Sequence, residues 1–168
     1  MALIVEDGSA SATADAYVSL ADADAYFTAH GSPSTWTGAT DAQQESAIRY
    51  ATLWIDARYQ WPGLIVSQSQ ALAWPRGGVV DGDGRAVSST SLPARLVQAT
   101  CEAALEHLST ALNEILARGG GIASETVGPI SVEYFQSASA GRTFPYIDAI
   151  LKLIAYPRQS GIGVLVRA

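Results

Sequence analysis

Few residues in this chain are of types that could do chemistry, and their spacing argues against most of it. His30 and His107 have no cysteine or carboxylate at a metal-ligand spacing, and Glu106, next to His107, projects from a different helix face. The run Asp81-Gly82-Asp83-Gly84 resembles the opening of a calcium loop, but no glutamate stands where such a loop must close, so it reads as a turn. Cys101 has no evident histidine partner, and the many serines include no Gly-x-Ser-x-Gly elbow. Gly119-Gly120-Gly121 is followed by Ile122-Ala123 and not by the lysine and hydroxyl residue of a phosphate-binding loop. No catalytic, cofactor-binding or metal-ligating residue is assigned, no cofactor is expected, and the chain is read as a non-enzyme.

The remaining residues of interest are suited to contact. Residues 70–87, QALAWPRGGVVDGDGRAV, combine an apolar approach, Trp74-Pro75-Arg76 and two glycine-punctuated extended runs, the pattern of a projecting hairpin or loop. Trp74 carries a large apolar surface beside a proline that fixes the backbone, so it is expected to anchor this segment from beneath or to enter a partner's pocket. Further on, Ile130, Val132 and Tyr134 alternate with Ser131 and Glu133 within 127–135, a strand of period two that Phe135 interrupts on its polar side. The C-terminal GVLVRA has the composition of an extended tail able to add to a partner's sheet. Trp74, Arg76, Ile130, Val132, Tyr134, Val164 and Val166 are therefore the candidate partner-binding residues.

Helices must position them. Ser19, with Asp22 three residues later, caps a first helix that places Leu20, Ala23 and Phe27 on one face and ends at Gly31-Ser32-Pro33. Thr40 opens a second with Gln43 at the capping-box spacing, and Pro62-Gly63 ends it. Its apolar residues form two stripes, Ile48, Ala51, Ile55 and Tyr59, and Tyr50, Trp54, Ala57 and Trp61, which predicts cover on both faces. Asp56 and Arg58 read as solvated surface charges. Pro93 suits the first turn of a third helix running to about residue 116, and residues 144–155 form a short last one. The expected fold is mainly α: about four bundled helices, a projecting hairpin or loop, and extended terminal segments, in a single domain of 168 residues with 156–168 as a tail.

Charged residues make up 15% of the chain against about 25% in ordinary soluble domains, so some surface is expected to be covered by neighbouring subunits. A net charge of −6 offers no global positive field to nucleic acid or an anionic membrane, and the basic residues, nine arginines and Lys152, form no evident stripe. One cysteine fits a reducing compartment, and the N-terminal MALIVEDGS lacks the apolar run of a secretory signal.

In their order and spacing, MALIVEDGS, YVSLADADAYFTAHG, ATLWIDARYQWPG, QALAWPRGGVVDGDG, LPARLVQATCEAAL, SETVGPISVEY and FPYIDAIL make the chain resemble the phage head-tail connector (adaptor, or head-completion) proteins, often labelled DnaT-like single-stranded DNA-binding proteins. The resemblance implies a structural virion protein: a homo-oligomeric ring, commonly of twelve subunits, at the phage neck between portal and a downstream neck or tail protein. DNA would pass through its channel without specific binding, with no membrane involved, and the subunit would pass through the host cytoplasm during assembly. An acidic, lysine-poor wall suits that role, because attractive phosphate contacts would hold the polyanion back. The alternative is single-stranded DNA binding, which normally pairs a positive groove with exposed aromatics. Trp36, Trp54, Trp61 and Trp74 supply the aromatics, but no groove is evident, and Trp54 and Trp61 stand seven apart, at core spacing.

Overall fold

A computed structural model of the chain describes residues 2–110, 112, 124–127, 130–133 and 144–157. In chain order these form α1 (Leu20–Ala29), α2 (Ser34–Thr37), α3 (Asp41–Arg58), β1 (Tyr59–Gln60), β2 (Leu64–Ile65), β3 (Arg76–Gly77), α4 (Ala94–Ser109), β4 (Ser124–Val127), β5 (Ile130–Glu133), α5 (Pro145–Leu151) and β6 (Tyr156–Pro157). The fold is mainly α, and the strands among the described residues form three antiparallel pairs, β1 with β6, β2 with β3 and β4 with β5.

The helix starts follow local chemistry. Ser19 accepts from the Asp22 N–H, and Thr40 completes a capping box in which its hydroxyl takes the Gln43 N–H while the Gln43 side chain takes the Thr40 N–H. Two otherwise unpaired donors are satisfied at the α3 start. Helix α3 packs chiefly on α4, and α4 in turn on α5. The buried faces, Ala47, Ile48, Ala51 and Ile55 of α3 and Leu96, Ala99, Cys101, Ala103 and Ala104 of α4, are rich in small residues that let two backbones approach closely. The core continues through Tyr17, Phe27, Trp36, Tyr59, Trp74, Val79, Ile147 and Leu151.

Ahead of α1 the chain is stapled by a buried carboxylate. Glu6 is 1% exposed and accepts the N–H groups of Gly8, Ala10 and Ser11, so its charge is matched by backbone donors. Gly8 makes the loop possible: its φ is +102°, and a Cβ there would lie 2.2 Å from the Thr90 carbonyl oxygen.

Several boundaries differ from the sequence expectation. Helix α3 stops at Arg58, because Tyr59 turns extended and pairs with β6 before Pro62 is reached. Pro93 is the N-cap of α4 and not part of its first turn, and α4 ends at Ser109 with Thr110 extended. The single strand expected over 127–135 is a hairpin in which Val127 belongs to β4 and faces Ile130 of β5. The last helix is shorter than 144–155, since Tyr156 is drawn into pairing with Gln60. The second stripe of α3 is covered only in part: Tyr50 and Ala57 are exposed, and Trp54 is half-buried with its ring edge-on to Phe144.

Candidate functional site

Two tyrosine–aspartate pairs organise the chain, and Trp74 belongs to the first. The Tyr17 hydroxyl donates to Asp56 Oδ1 at 2.6 Å and accepts the Trp74 N–H at 3.1 Å, while Asp56 Oδ2 accepts the Ala73 N–H at 2.9 Å. Burial, above all, pushes the Asp56 carboxyl up and the Tyr17 phenol far up, so the phenol remains a donor. Trp74 has no exposed surface, and its ring meets Trp61 edge-on at 5.8 Å. Arg76 donates to the carbonyl oxygens of Pro62 at 2.7 Å, Gly63 at 2.7 Å and Ala73 at 3.1 Å. Of the two places left open for Trp74, beneath its own segment or in a partner's pocket, it takes the first, and with Arg76, also named as a candidate partner contact, it braces residues 61–77. The following turn, Asp81 to Gly84, lies against the chain as well: a Cβ on Gly82 would fall 2.4 Å from the Leu153 side chain.

The second pair opens onto the surface where α3 ends. The Tyr59 hydroxyl donates to Asp148 Oδ1 in a short hydrogen bond, and Arg58 Nη2 lies 3.5 Å from Asp148 Oδ2. Arg58 is seated among the rings of Trp54, Tyr59 and Phe144, with its guanidinium carbon 5.1 to 5.8 Å from their centroids. Neither Asp56 nor Arg58 is therefore the solvated surface charge the sequence suggested. Each lies within reach of an opposite charge or aromatic partner supplied by a distant part of the chain. Beside Asp148 runs a groove lined by Pro145, Asp148, Ala149, Lys152, Ala155 and Tyr156. Its wall is aromatic and accessible, because Tyr156 is 65% exposed; Tyr146, on the adjoining side of α5, is 60% exposed.

The sequence around α5 contains a signal that whole-chain composition conceals. Residues 142–168 carry Arg142, Lys152, Arg158 and Arg167 against one acid, Asp148, in a chain whose net charge is −6. Phe144, Tyr146 and Tyr156 interleave with them. A windowed charge count would have found the stretch. The tryptophans singled out as possible stacking platforms are unsuited to that role: Trp36, Trp61 and Trp74 are buried, and Trp54 is packed against Phe144.

Of the other candidates, Ile130 and Val132 lie in β5, opposite Val127 and Glu125 of β4. Tyr134, Val164 and Val166 lie outside the described residues. Cys101 is buried, its thiol pushed up to about 12 chiefly by desolvation. His107 stacks on Tyr50 and accepts the Leu112 N–H through Nδ1, and His30 stacks on Tyr26. Among the described residues no group of three or more His, Cys, Asp or Glu could hold a metal ion, and no helix is long and apolar enough to cross a membrane.

The chain matches, over residues 1–168, the family described as "Putative DnaT-like ssDNA binding protein", and it belongs to that family. No curated protein and no solved structure matches it. The family match corrects the phage-neck expectation. The structural ring, its portal and neck or tail partners, and DNA passing without specific binding give way to a family described by binding single-stranded DNA. The physical source of the error is averaging: net charge was read over the whole chain, whereas a strand meets a local surface, and the sequence from 142 to 168 carries four basic residues against one acid.

Proposed function

We propose that this chain is a single-stranded DNA-binding module, without catalytic activity, that holds the strand along its C-terminal face. What carries the reading is the family match over residues 1–168, together with Lys152 and the exposed ring of Tyr156 in the α5 groove and the exposed Tyr146 beside it. Lys152 supplies a phosphate contact, and Tyr156 and Tyr146 supply faces on which bases stack. Acidic surface elsewhere repels the polyanion and so confines it to this face. We read the whole chain as one domain in which α1, α3, α4 and α5 form the scaffold and residues 70–87 are braced upon it by Trp74 and Arg76. A free, buried Cys101 suits work in the cytoplasm.

Titration of a labelled mixed-sequence oligonucleotide at low salt tests the proposal. Binding in the micromolar range or tighter is expected, with log affinity falling by about 0.7 per phosphate contact for each decade of salt. The double variant Lys152→Ala, Tyr156→Ala should weaken binding by about tenfold or more with an unchanged melting temperature, since both side chains are open to water. Absence of binding at low salt would sink the reading.

A further inference from the structure

We infer that the groove beside α5 is a pocket for one unstacked nucleobase of a bound strand, and that Asp148 makes it favour bases with an exocyclic amino group over thymine; this deepens, and rests on, the single-strand reading above. The groove encloses about 560 Å³, within the range of small-molecule sites. Its lining divides by chemistry into the parts a nucleotide requires. Pro145, Ala149 and Ala155 offer an apolar bed, Tyr156 an exposed ring for stacking, Lys152 a cation for the phosphate, and Asp148 an acceptor.

Asp148 retains the capacity to read a base. Its Oδ1 takes the Tyr59 hydroxyl and its Oδ2 stands 3.5 Å from Arg58 Nη2, but each carboxylate oxygen has two lone pairs. Those two groups hold the carboxylate in place from the body side and leave it an acceptor toward the groove. Cytosine N4, adenine N6 and guanine N1 and N2 donate to such a group, whereas thymine turns carbonyl oxygens toward it on either side of one N–H. In a duplex the amino groups of the Watson–Crick edge are already paired, so a pocket built this way takes bases from single strands.

The test compares equal-length labelled oligo(dC), oligo(dA) and oligo(dT) at one salt concentration, on the full chain and on two variants. The wild type should bind dC and dA about tenfold more tightly than dT, the discrimination expected of one hydrogen bond to a charged acceptor. Asp148→Asn, whose amide can also donate to a thymine carbonyl, should bring the three within about twofold of one another even as loss of a negative charge raises affinity for all. Ala149→Leu, at an exposed helix position, should fill the bed and remove the preference while the chain stays folded. A wild type that binds dT as tightly as dC and dA overturns the inference and leaves the DNA-binding reading standing, as does a preference that persists in Asp148→Asn or, should that variant not fold, in Ala149→Leu. Failure of the wild type to bind any strand overturns both.

Discussion

Tyr17 with Asp56 and Tyr59 with Asp148 are the same arrangement built twice: a phenol donating to an aspartate, with an arginine in the neighbourhood. In the first, the second carboxylate oxygen takes the Ala73 N–H, the phenol takes the Trp74 N–H, and Tyr17 and Trp74 are both buried in the core. In the second, the carboxylate meets Arg58 only at 3.5 Å and borders a groove that also contains a lysine and an exposed tyrosine. Identical chemistry is therefore used up internally in one place and, in the other, left with acceptor capacity beside a groove, where the proposed recognition would draw on it. The deciding variable is access to water, because a buried group must be satisfied by the chain itself.

The sharpest way to break the comparison is to cut away the sealed side. Trp74→Ala should destabilise the chain by about 3 to 5 kcal/mol in denaturant unfolding, whereas Tyr156→Ala should leave stability within about 0.5 kcal/mol and affect only DNA affinity. A Trp74→Ala protein with near-native stability would show that the ring is not a core element.

A finer contrast removes one hydroxyl from each pair. Tyr17→Phe leaves the Trp74 N–H buried without its acceptor and should cost about 1 to 3 kcal/mol; Tyr59→Phe, beside a carboxylate that reaches solvent, should cost less than about 1 kcal/mol. Equal costs would mean that both pairs are equally sealed.

Asp56 should also leave a signature on a pH scale. Asp56 is raised above its usual range by burial, so the folded state binds its proton more tightly than the unfolded chain does. Stability conferred through it is present below the unfolded value of about 3.9 and is lost as pH rises through the folded value. The stability of the wild type relative to Asp56→Asn should therefore decline as pH is raised from about 4, then level off. A difference that grows over that interval would refute the burial argument. A change far from both pairs gives a reference: Thr40→Ala, which removes the α3 capping box, should cost about 1 kcal/mol at any pH.

Caps, turns and the mainly α character were legible in the residues themselves, since they depend on neighbours three or four positions apart. Ser19 and Thr40 begin helices where their side chains say they should, and Gly31 and Gly84 take the positive φ expected of turn glycines. Trp74 could be seen to be an anchor but not whose anchor it is; that required Tyr17 and Asp56, 57 and 39 residues from their partners, to meet around it. The α5 groove was less legible still. Its basic and aromatic residues are countable in the sequence, yet the pairing of Tyr156 with Gln60, which brings Arg58 and Asp148 together, joins positions nearly a hundred residues apart. Local sequence determines what the backbone does within a few residues, because caps and turns are closed by hydrogen bonds of short reach. Which charges are sealed and which stay open to solvent was decided by the tertiary fold, because solvent access depends on chain segments that sequence proximity does not connect.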